Sequence, residues 1–375
     1  MTKSFKLALL LLVSLFAAHA SARTSFPYDK LSTKNIMRRV ADWQITAFTN
    51  HQDHHDLDWT NAALYRGMID WAEMSERLDG YDGYYQWLKR IGARNQYQMH
   101  KWMYHADDIA VGQAFLDLYK KYKNERMFWP VQARTDWVVA HPSKSTMKLD
   151  YSNPYTLDRW TWCDALFMAP PVYARMYAVT GDRKYLDFMD REYHATYDFL
   201  YDKDEHLFYR DCRYFDQREA NGKKVFWGRG NGWVLGGLVD LLKLIPKKDV
   251  IRPFYVQLFK EMSARIITTQ SADGYWHASL LDPDSYPSPE TSSTGFIVYA
   301  LAYGVNAGLL DRDTYLPAIE KGWKAMLDAV DSQGKLCYVQ PIGADPKKVT
   351  RSMTEVYGVG AFLLAGCQIY QLCEK

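Results

Sequence analysis

The stretch YAVTGDRKYLDFM, residues 177–189, sets a short polar turn between two segments whose apolar residues recur at helical spacing. The same grammar returns in LKLIPKKDVIRPFY, 242–255, and NAGLLDRDTYLPAI, 306–319, with a weaker copy in LYKKYKNERMFW, 118–129. The turns fall near residues 122, 181, 246 and 311. That is a period of roughly 60 to 65 residues, room for two helices and their connections, and about six such units fit the chain. Strand-type alternation is confined to stretches such as YWHASLL, 275–281, and KLCYVQP, 335–341, which read as short hairpins. The expected fold is all-α: an (α/α)6 barrel of six helical hairpins, with inner helices around a central cavity and short β hairpins or loops at the pocket end.

The repeat carries a positional consequence. Four unusual segments, YHADDIAVG (104–112), WTWCDALFM (160–168), FWGRGNGW (226–233) and SPETSSTGF (288–296), each sit about one helix length before one of those turns. Equivalent units place all four at the same end of the barrel, where residues distant in sequence converge on one pocket.

Composition bounds the function. The chain has 375 residues, 48% of them hydrophobic, and no linker-like segment divides it, so one large domain over 23–375 is expected. Residues 1–22, MTKSFKLALLLLVSLFAAHASA, have the Lys-bearing start, apolar run and small-residue exit of a signal peptide, and no cysteine stands near the cut to take a lipid. The expectation is a protein exported to the periplasm or beyond the cell. No later run is apolar enough to span a membrane. A net charge of +2 without a basic block leaves no footprint for nucleic acid. Five cysteines without a CxxC pair speak against a disulfide scaffold or a zinc knuckle. Aromatics make up 15% of residues, including 13 Trp and 28 Tyr, side chains that stack on sugar rings and pair with hydroxyls as well as filling cores.

Within the four segments, Asp164 stands in an apolar, aromatic stretch at a helix start. It reads either as a cap for that helix or as a carboxyl group whose proton affinity is raised by its surroundings, a proton donor near neutral pH. Asp107 and Asp108 offer a second carboxylate. Adjacent helical residues point about 100° apart, so one of the two faces the cavity, and Asp107 is favoured over Asp108. A second charge beside Asp164 would push the two titrations apart, as in acid and base pairs; the alternative is a solvated acidic pair at a helix end. In FWGRGNGW, an extended backbone would send Trp227, Arg229, Asn231 and Trp233 to one side. That is a sugar platform with a guanidinium able to grip a carboxylate at two points, while Gly228, Gly230 and Gly232 permit unusual turns and close approach of a ligand. The alternative is a helix-start loop packed by two core tryptophans. HQDHHD, 51–56, invites a metal but lacks partner spacing, and a solvated loop capping the helix of Trp59 is the better account. Glu290 reads as a third pocket carboxylate or as part of an N-cap. No metal or other cofactor is expected, and neither GxSxG nor HExxH occurs.

WCDALFMAPP followed by FWGRGNGW, the ETSS segment and the TGDRKYLDFM turn resembles glycoside hydrolase family 105, the unsaturated rhamnogalacturonyl hydrolases, with the family 88 unsaturated glucuronyl hydrolases as relatives. The resemblance covers nearly all of the chain after residue 22, and its most specific part is WxRxNxW with an upstream WxD. It implies an (α/α)6 barrel that uses no metal and removes a 4,5-unsaturated uronic acid from the non-reducing end of oligosaccharides left by polysaccharide lyases. Asp164 matches the family's general acid and base and Asp107 its second essential aspartate. Trp227, Arg229, Asn231 and Trp233 match its pocket-lining set, with Trp59, Asp108, Trp162 and Arg210 as further substrate-binding candidates. One position departs: where rhamnogalacturonyl members carry a histidine after a strand, this chain reads HLFYRDCRYF, with Arg210 and Asp211. The implied partner is an oligosaccharide with a terminal unsaturated uronate. Two other readings compete, an inverting (α/α)6 glycosidase acting on saturated glycans, with carboxylates about 6.5 to 9.5 Å apart, and a non-catalytic glycan-binding protein.

Overall fold

A computed structural model describes residues 26–373; the expected signal peptide, residues 1–22, lies outside the described residues. Fourteen α-helices are present among the described residues: α1 (Lys30–Asn50), α2 (Trp59–Asp79), α3 (Gly83–Arg94), α4 (Ala106–Ile109), α5 (Gly112–Tyr122), α6 (Trp129–Ala140), α7 (Ala165–Met168), α8 (Pro170–Thr180), α9 (Lys184–Leu200), α10 (Gly228–Leu244), α11 (Arg252–Ile266), α12 (Thr291–Asn306), α13 (Arg312–Asp328) and α14 (Val356–Leu372). They alternate outer and inner positions. Packing joins α2 to α5, α5 to α8, α8 to α10, α10 to α12, α12 to α14 and α14 back to α2, which closes an inner ring. The one-turn helices α4 and α7 precede α5 and α8 as their mouth-side extensions, and α1, α3, α6, α9, α11 and α13 lie outside. This is the expected (α/α)6 barrel.

Hydrophobic pattern decides which helix is inside. In α12 and α14 nearly every residue is buried, so they read as apolar all round, whereas α3 and α9 bury one face and leave charged residues outside. The turns anticipated near 122, 181, 246 and 311 each join an inner helix to the outer one after it. Gly181 supplies the left-handed backbone that ends α8, at φ 73°. Where α2 and α14 cross, a Cβ on Gly360 would lie 2.3 Å from the Ala63 carbonyl oxygen, so the ring closes there because a side chain is missing.

The strands are fewer than expected and elsewhere. One hairpin pairs β1 (Tyr201–Asp202) with β2 (Leu207–Phe208), while YWHASLL and KLCYVQP contribute only the isolated bridges Trp227–Ser279 and Val330–Leu336. The loops that carry them lie over inner-helix starts and spend their polar groups on those helices. The Trp276 N–H donates to the Thr294 hydroxyl and the Gln340 N–H to the Glu290 carboxylate, which leaves little for a ladder.

Every inner helix begins at one end of the barrel, the mouth. Just below it, aromatic rings from the first turns fill the axis: Trp233 packs against Phe296 at 4.3 Å and Phe167 at 4.8 Å, and Trp59 stacks on Tyr357 at 5.4 Å. At the far end a charged network forms the floor. Asp240 accepts from Arg66 Nε at 2.7 Å, Arg175 Nη2 at 2.9 Å and the Tyr299 hydroxyl at 3.1 Å, and Arg175 Nε reaches Asp117 at 3.1 Å. These residues come from α2, α5, α8, α10 and α12, so one cluster ties five of the six inner helices. A cavity of about 1040 Å³ outside this floor is lined by the same arginines together with Asp70, Lys120 and Lys243.

Candidate active site

The mouth is built from helix starts, and their local sequences explain which carboxylates remain free. Asp58 caps α2 by accepting from the Thr60 N–H at 3.0 Å, and Glu290 caps α12 by accepting from the Ser292 and Ser293 N–H groups at 3.1 and 2.7 Å. Glu290 is therefore spent on its helix. Asp164 stands at the same kind of position before α7 but makes no cap hydrogen bond. Its residue is already in right-handed helical conformation, φ −61° and ψ −30°, a geometry that turns the side chain away from the N–H groups it would cap. Pro170 and Pro171 start α8 and separate it from the single turn of α7, leaving Asp164 on a short segment aimed at the mouth.

The Asp107–Asp108 pair divides. Asp108 is held on both oxygens, by His100 Nδ1 at 2.9 Å and the Trp102 N–H at 2.7 Å, and His100 in turn stacks on His55 at 5.2 Å. Among the described residues nothing hydrogen-bonds the Asp107 carboxylate, and His105 Nδ1 lies 4.0 Å from it. Its side chain is 22% exposed. Burial and the charge of Asp164 push the Asp107 carboxyl well above the ordinary carboxylate range. Burial also raises Asp164, while the Arg210 guanidinium, its Nε 3.6 Å from Asp164 Oδ2, and the Cys163 thiol, 3.3 Å from Oδ1, oppose that rise. Each of the two carboxyls therefore keeps its proton to a higher pH than an ordinary carboxylate does.

FWGRGNGW does not run as an extended stretch. The helix α10 begins at Gly228, because removal of three Cβ atoms lets this turn press against its neighbours. A Cβ on Gly228 would lie 2.4 Å from the His277 carbonyl oxygen, and one on Gly230 would lie 3.1 Å from Cys163 Sγ and 3.7 Å from Asp164 Oδ1. The glycines thus admit close packing rather than unusual turns, since none of the three has positive φ. Helical geometry also separates the four side chains expected on one face. Asn231 turns into the β2 loop, accepting from the Phe208 N–H at 2.8 Å and donating to its carbonyl at 3.1 Å. Trp233 goes to the aromatic layer. Arg229 is fully buried between the Trp227 and Tyr357 rings, 4.5 and 4.8 Å from their centroids. Its two terminal nitrogens, the pair a two-point carboxylate grip would use, donate to the Gln340 and Pro341 carbonyls, the latter at 3.0 Å, and Nε is left without a partner.

Among the other candidates, Trp162 is buried with the His105 ring 5.1 Å away, and Trp59 is half-buried at the mouth. Arg210 bridges Asp164, Asp211 and Tyr151, donating Nη1 to Asp211 Oδ2 at 2.9 Å and to the Tyr151 hydroxyl at 2.8 Å. The HQDHHD loop is less solvated than its composition implies. Asp56 is buried and accepts from Arg94, Gln52 and Asn95, and His54 meets Glu355 at 3.1 Å. Among the described residues no group of His, Cys, Asp and Glu is arranged to hold a metal ion. Sequence reasoning passed over His105, Tyr151, Arg213 and Gln340. His105 was legible beside Asp107, but Tyr151 comes from an irregular loop with no pattern.

The family model described as "Glycosyl Hydrolase Family 88" matches residues 33–373. An unsaturated 3S-rhamnoglycuronyl hydrolase of Alteromonas sp. (strain LOR) is 34% identical, with the match covering 92% of this chain and 88% of the relative. Another of that name, from Formosa agariphila, is 39% identical over 84% of this chain and 85% of the relative. A solved structure described as a polysaccharide lyase superposes with a TM-score of 0.83 at 31% identity, covering 92% of this chain and 98% of the other. Taken with the six-hairpin barrel and its paired carboxyl groups, these matches establish that the chain belongs to glycosyl hydrolase family 88 and is an enzyme of the unsaturated-uronyl hydrolase kind.

Proposed function

We propose that this enzyme removes a 4,5-unsaturated uronic acid from the non-reducing end of an oligosaccharide whose next sugar is a rhamnose bearing a 3-sulfate. The sugar is suggested by the names of the two relatives. The observation that carries the chemistry is the pairing of Asp164 and Asp107 at the heads of neighbouring inner-helix units, both free of capping bonds and both with raised proton affinity.

The substrate ring is an enol ether, with C4=C5 conjugated to the ring oxygen. Asp164, as the acid, delivers its proton to C4, and positive charge develops at C5 and the ring oxygen. Water adds at C5 and returns a proton to the same carboxylate, and the hemiketal formed opens and expels the neighbouring sugar. The sum is one water consumed and one glycosidic bond broken, without attack at the anomeric carbon. Asp107 supports the step by keeping a proton on the pair. Arg229 and the Trp227 and Trp233 rings fix the wall behind Asp164, and Trp59 and Trp162 border the ring's approach.

Ultraviolet absorbance of the conjugated double bond tests this reading. The wild type should erase it from an unsaturated uronyl disaccharide, and Asp164→Asn should not. A lyase would instead create that absorbance from an intact polysaccharide, and this result would sink the hydrolase chemistry. The signal-like residues 1–22 support action in the periplasm, which cell fractionation of the full-length chain would test.

A further inference from the structure

One edge of Arg210 faces Asp164, and the remainder of that side chain belongs to a cationic rim further out along the mouth. Arg210 and Arg213 share a single fully buried carboxylate. Asp211 Oδ2 accepts from Arg210 Nη1 at 2.9 Å and from Arg213 Nη2 at 2.8 Å, and Oδ1 accepts from Arg213 Nε at 2.8 Å. Two guanidinium groups share this carboxylate, so while Asp164 beside Arg210 keeps its proton the rim carries a surplus positive charge. Tyr151 completes the rim, its hydroxyl accepting from Arg210 and its ring lying 4.4 Å from the Arg213 guanidinium carbon. Since that hydroxyl accepts from Arg210, its own proton is free for a ligand oxygen. Arg210 Nε is buried without a hydrogen-bond partner, on the side facing Asp164. Exposure rises outward, from 11% for the Asp164 and Arg210 side chains to 38% for Arg213 and 52% for Tyr151, so the rim follows the path along which a chain end enters.

We propose that Arg210, Arg213 and Tyr151 form a subsite that reads the sulfate ester on the sugar next to the scissile bond. This rests on the substrate reading above. The reacting ring must lie over Asp164 for C4 to receive its proton, which puts the following sugar one step outward, against the rim. A substrate with a carboxylate and a sulfate meets Asp107, Asp108 and Asp164 at the mouth, and a surplus cation at that step offsets the repulsion. A sulfate monoester stays singly charged with three acceptor oxygens throughout the working pH range, which suits forked donors and a hydroxyl.

The test compares unsaturated uronyl-rhamnose disaccharides with and without the 3-sulfate, using wild type, Arg213→Met, Arg213→Lys and Tyr151→Phe. The two positions are open to solvent, so these variants should fold, and melting curves verify it. The wild type should favour the sulfated disaccharide. Arg213→Met should lower kcat/KM for it about 10- to 100-fold more than for the desulfated one, mostly through KM, with part of the loss regained in Arg213→Lys. Tyr151→Phe should act in the same direction, more weakly. Equal losses on both substrates would mean that the rim only braces the loop and would overturn the subsite. A wild type that processes neither disaccharide, or both equally, would overturn the sulfated-substrate reading itself.

Discussion

Replacing Asp240 by asparagine should destabilise the barrel by about 3 to 5 kcal/mol while leaving its chemistry intact. Asp240 is buried on the floor, where it accepts four hydrogen bonds: Arg66 Nε at 2.7 Å, Arg66 Nη2 at 3.1 Å, Arg175 Nη2 at 2.9 Å and the Tyr299 hydroxyl at 3.1 Å. Those two arginines hold its carboxyl far below the ordinary range. Asparagine removes the charge and turns one acceptor into a donor facing a guanidinium, leaving two buried cations short of a counter-ion, a change that costs about 3 to 5 kcal/mol in comparable sites. Unfolding entropy of about 2.1 cal/mol/K per residue gives ~0.7 kcal/mol/K for a domain of ~350 residues, so Tm should fall by about 4 to 7 °C. The residue lies three turns down α10, ~18 Å below the mouth, and kcat measured well below Tm should change less than about twofold. Scanning calorimetry and double-bond decay on the same preparation read both quantities. A Tm within about 1 °C of wild type would refute the claim that this cluster binds the inner ring together. A large loss of kcat in a folded protein would show that floor and mouth are coupled.

Asp107→Asn should cost about 100-fold in kcat yet stabilise the fold at alkaline pH. A buried carboxyl with raised proton affinity contributes stability that is full below its unfolded titration, about pH 4, and is lost as pH rises through the folded one. The urea midpoint gap between variant and wild type should therefore widen from pH 5 to pH 8, and a constant gap would contradict the burial argument. Turnover itself should fall as pH rises and the two raised carboxyls lose their protons. Arg210→Met removes the cation opposing the rise at Asp164, so the alkaline limb of kcat should move to higher pH, and an unmoved limb would deny that contact. Gly360→Ala should cost about 1 to 3 kcal/mol or prevent expression, because its Cβ would fall 2.3 Å from the Ala63 carbonyl oxygen; a wild-type Tm would show that α2 and α14 can separate freely.

The hairpin repeat was legible because its signal is redundant. Each turn such as Gly181 or Pro246 punctuates helices whose apolar spacing already announces them, and four copies fix a period. Asp164 and Asp107 stood out as candidates because a carboxylate in apolar surroundings is costly and therefore conspicuous. FWGRGNGW was misread locally for the opposite reason. Alternation of glycine with large residues mimics a strand, and only the neighbours, Cys163 and the His277 carbonyl, show that the glycines make room for a helix to press in. Arg213 and Tyr151 left no trace in the sequence, since a rim made by two irregular loops has no periodicity to betray it.

The aromatic layer beneath the mouth has a kinetic consequence. With Trp233, Phe167 and Phe296 across the axis and the Asp240 cluster below, the barrel axis is filled beneath the mouth. A polysaccharide cannot thread along that axis, so under the proposed chemistry a chain end enters from the mouth and one sugar is removed per visit. Under the same proposal the released uronate leaves by the mouth through which its successor enters. The expected outcome is that accumulated uronate competes with incoming substrate, which product-inhibition kinetics would read.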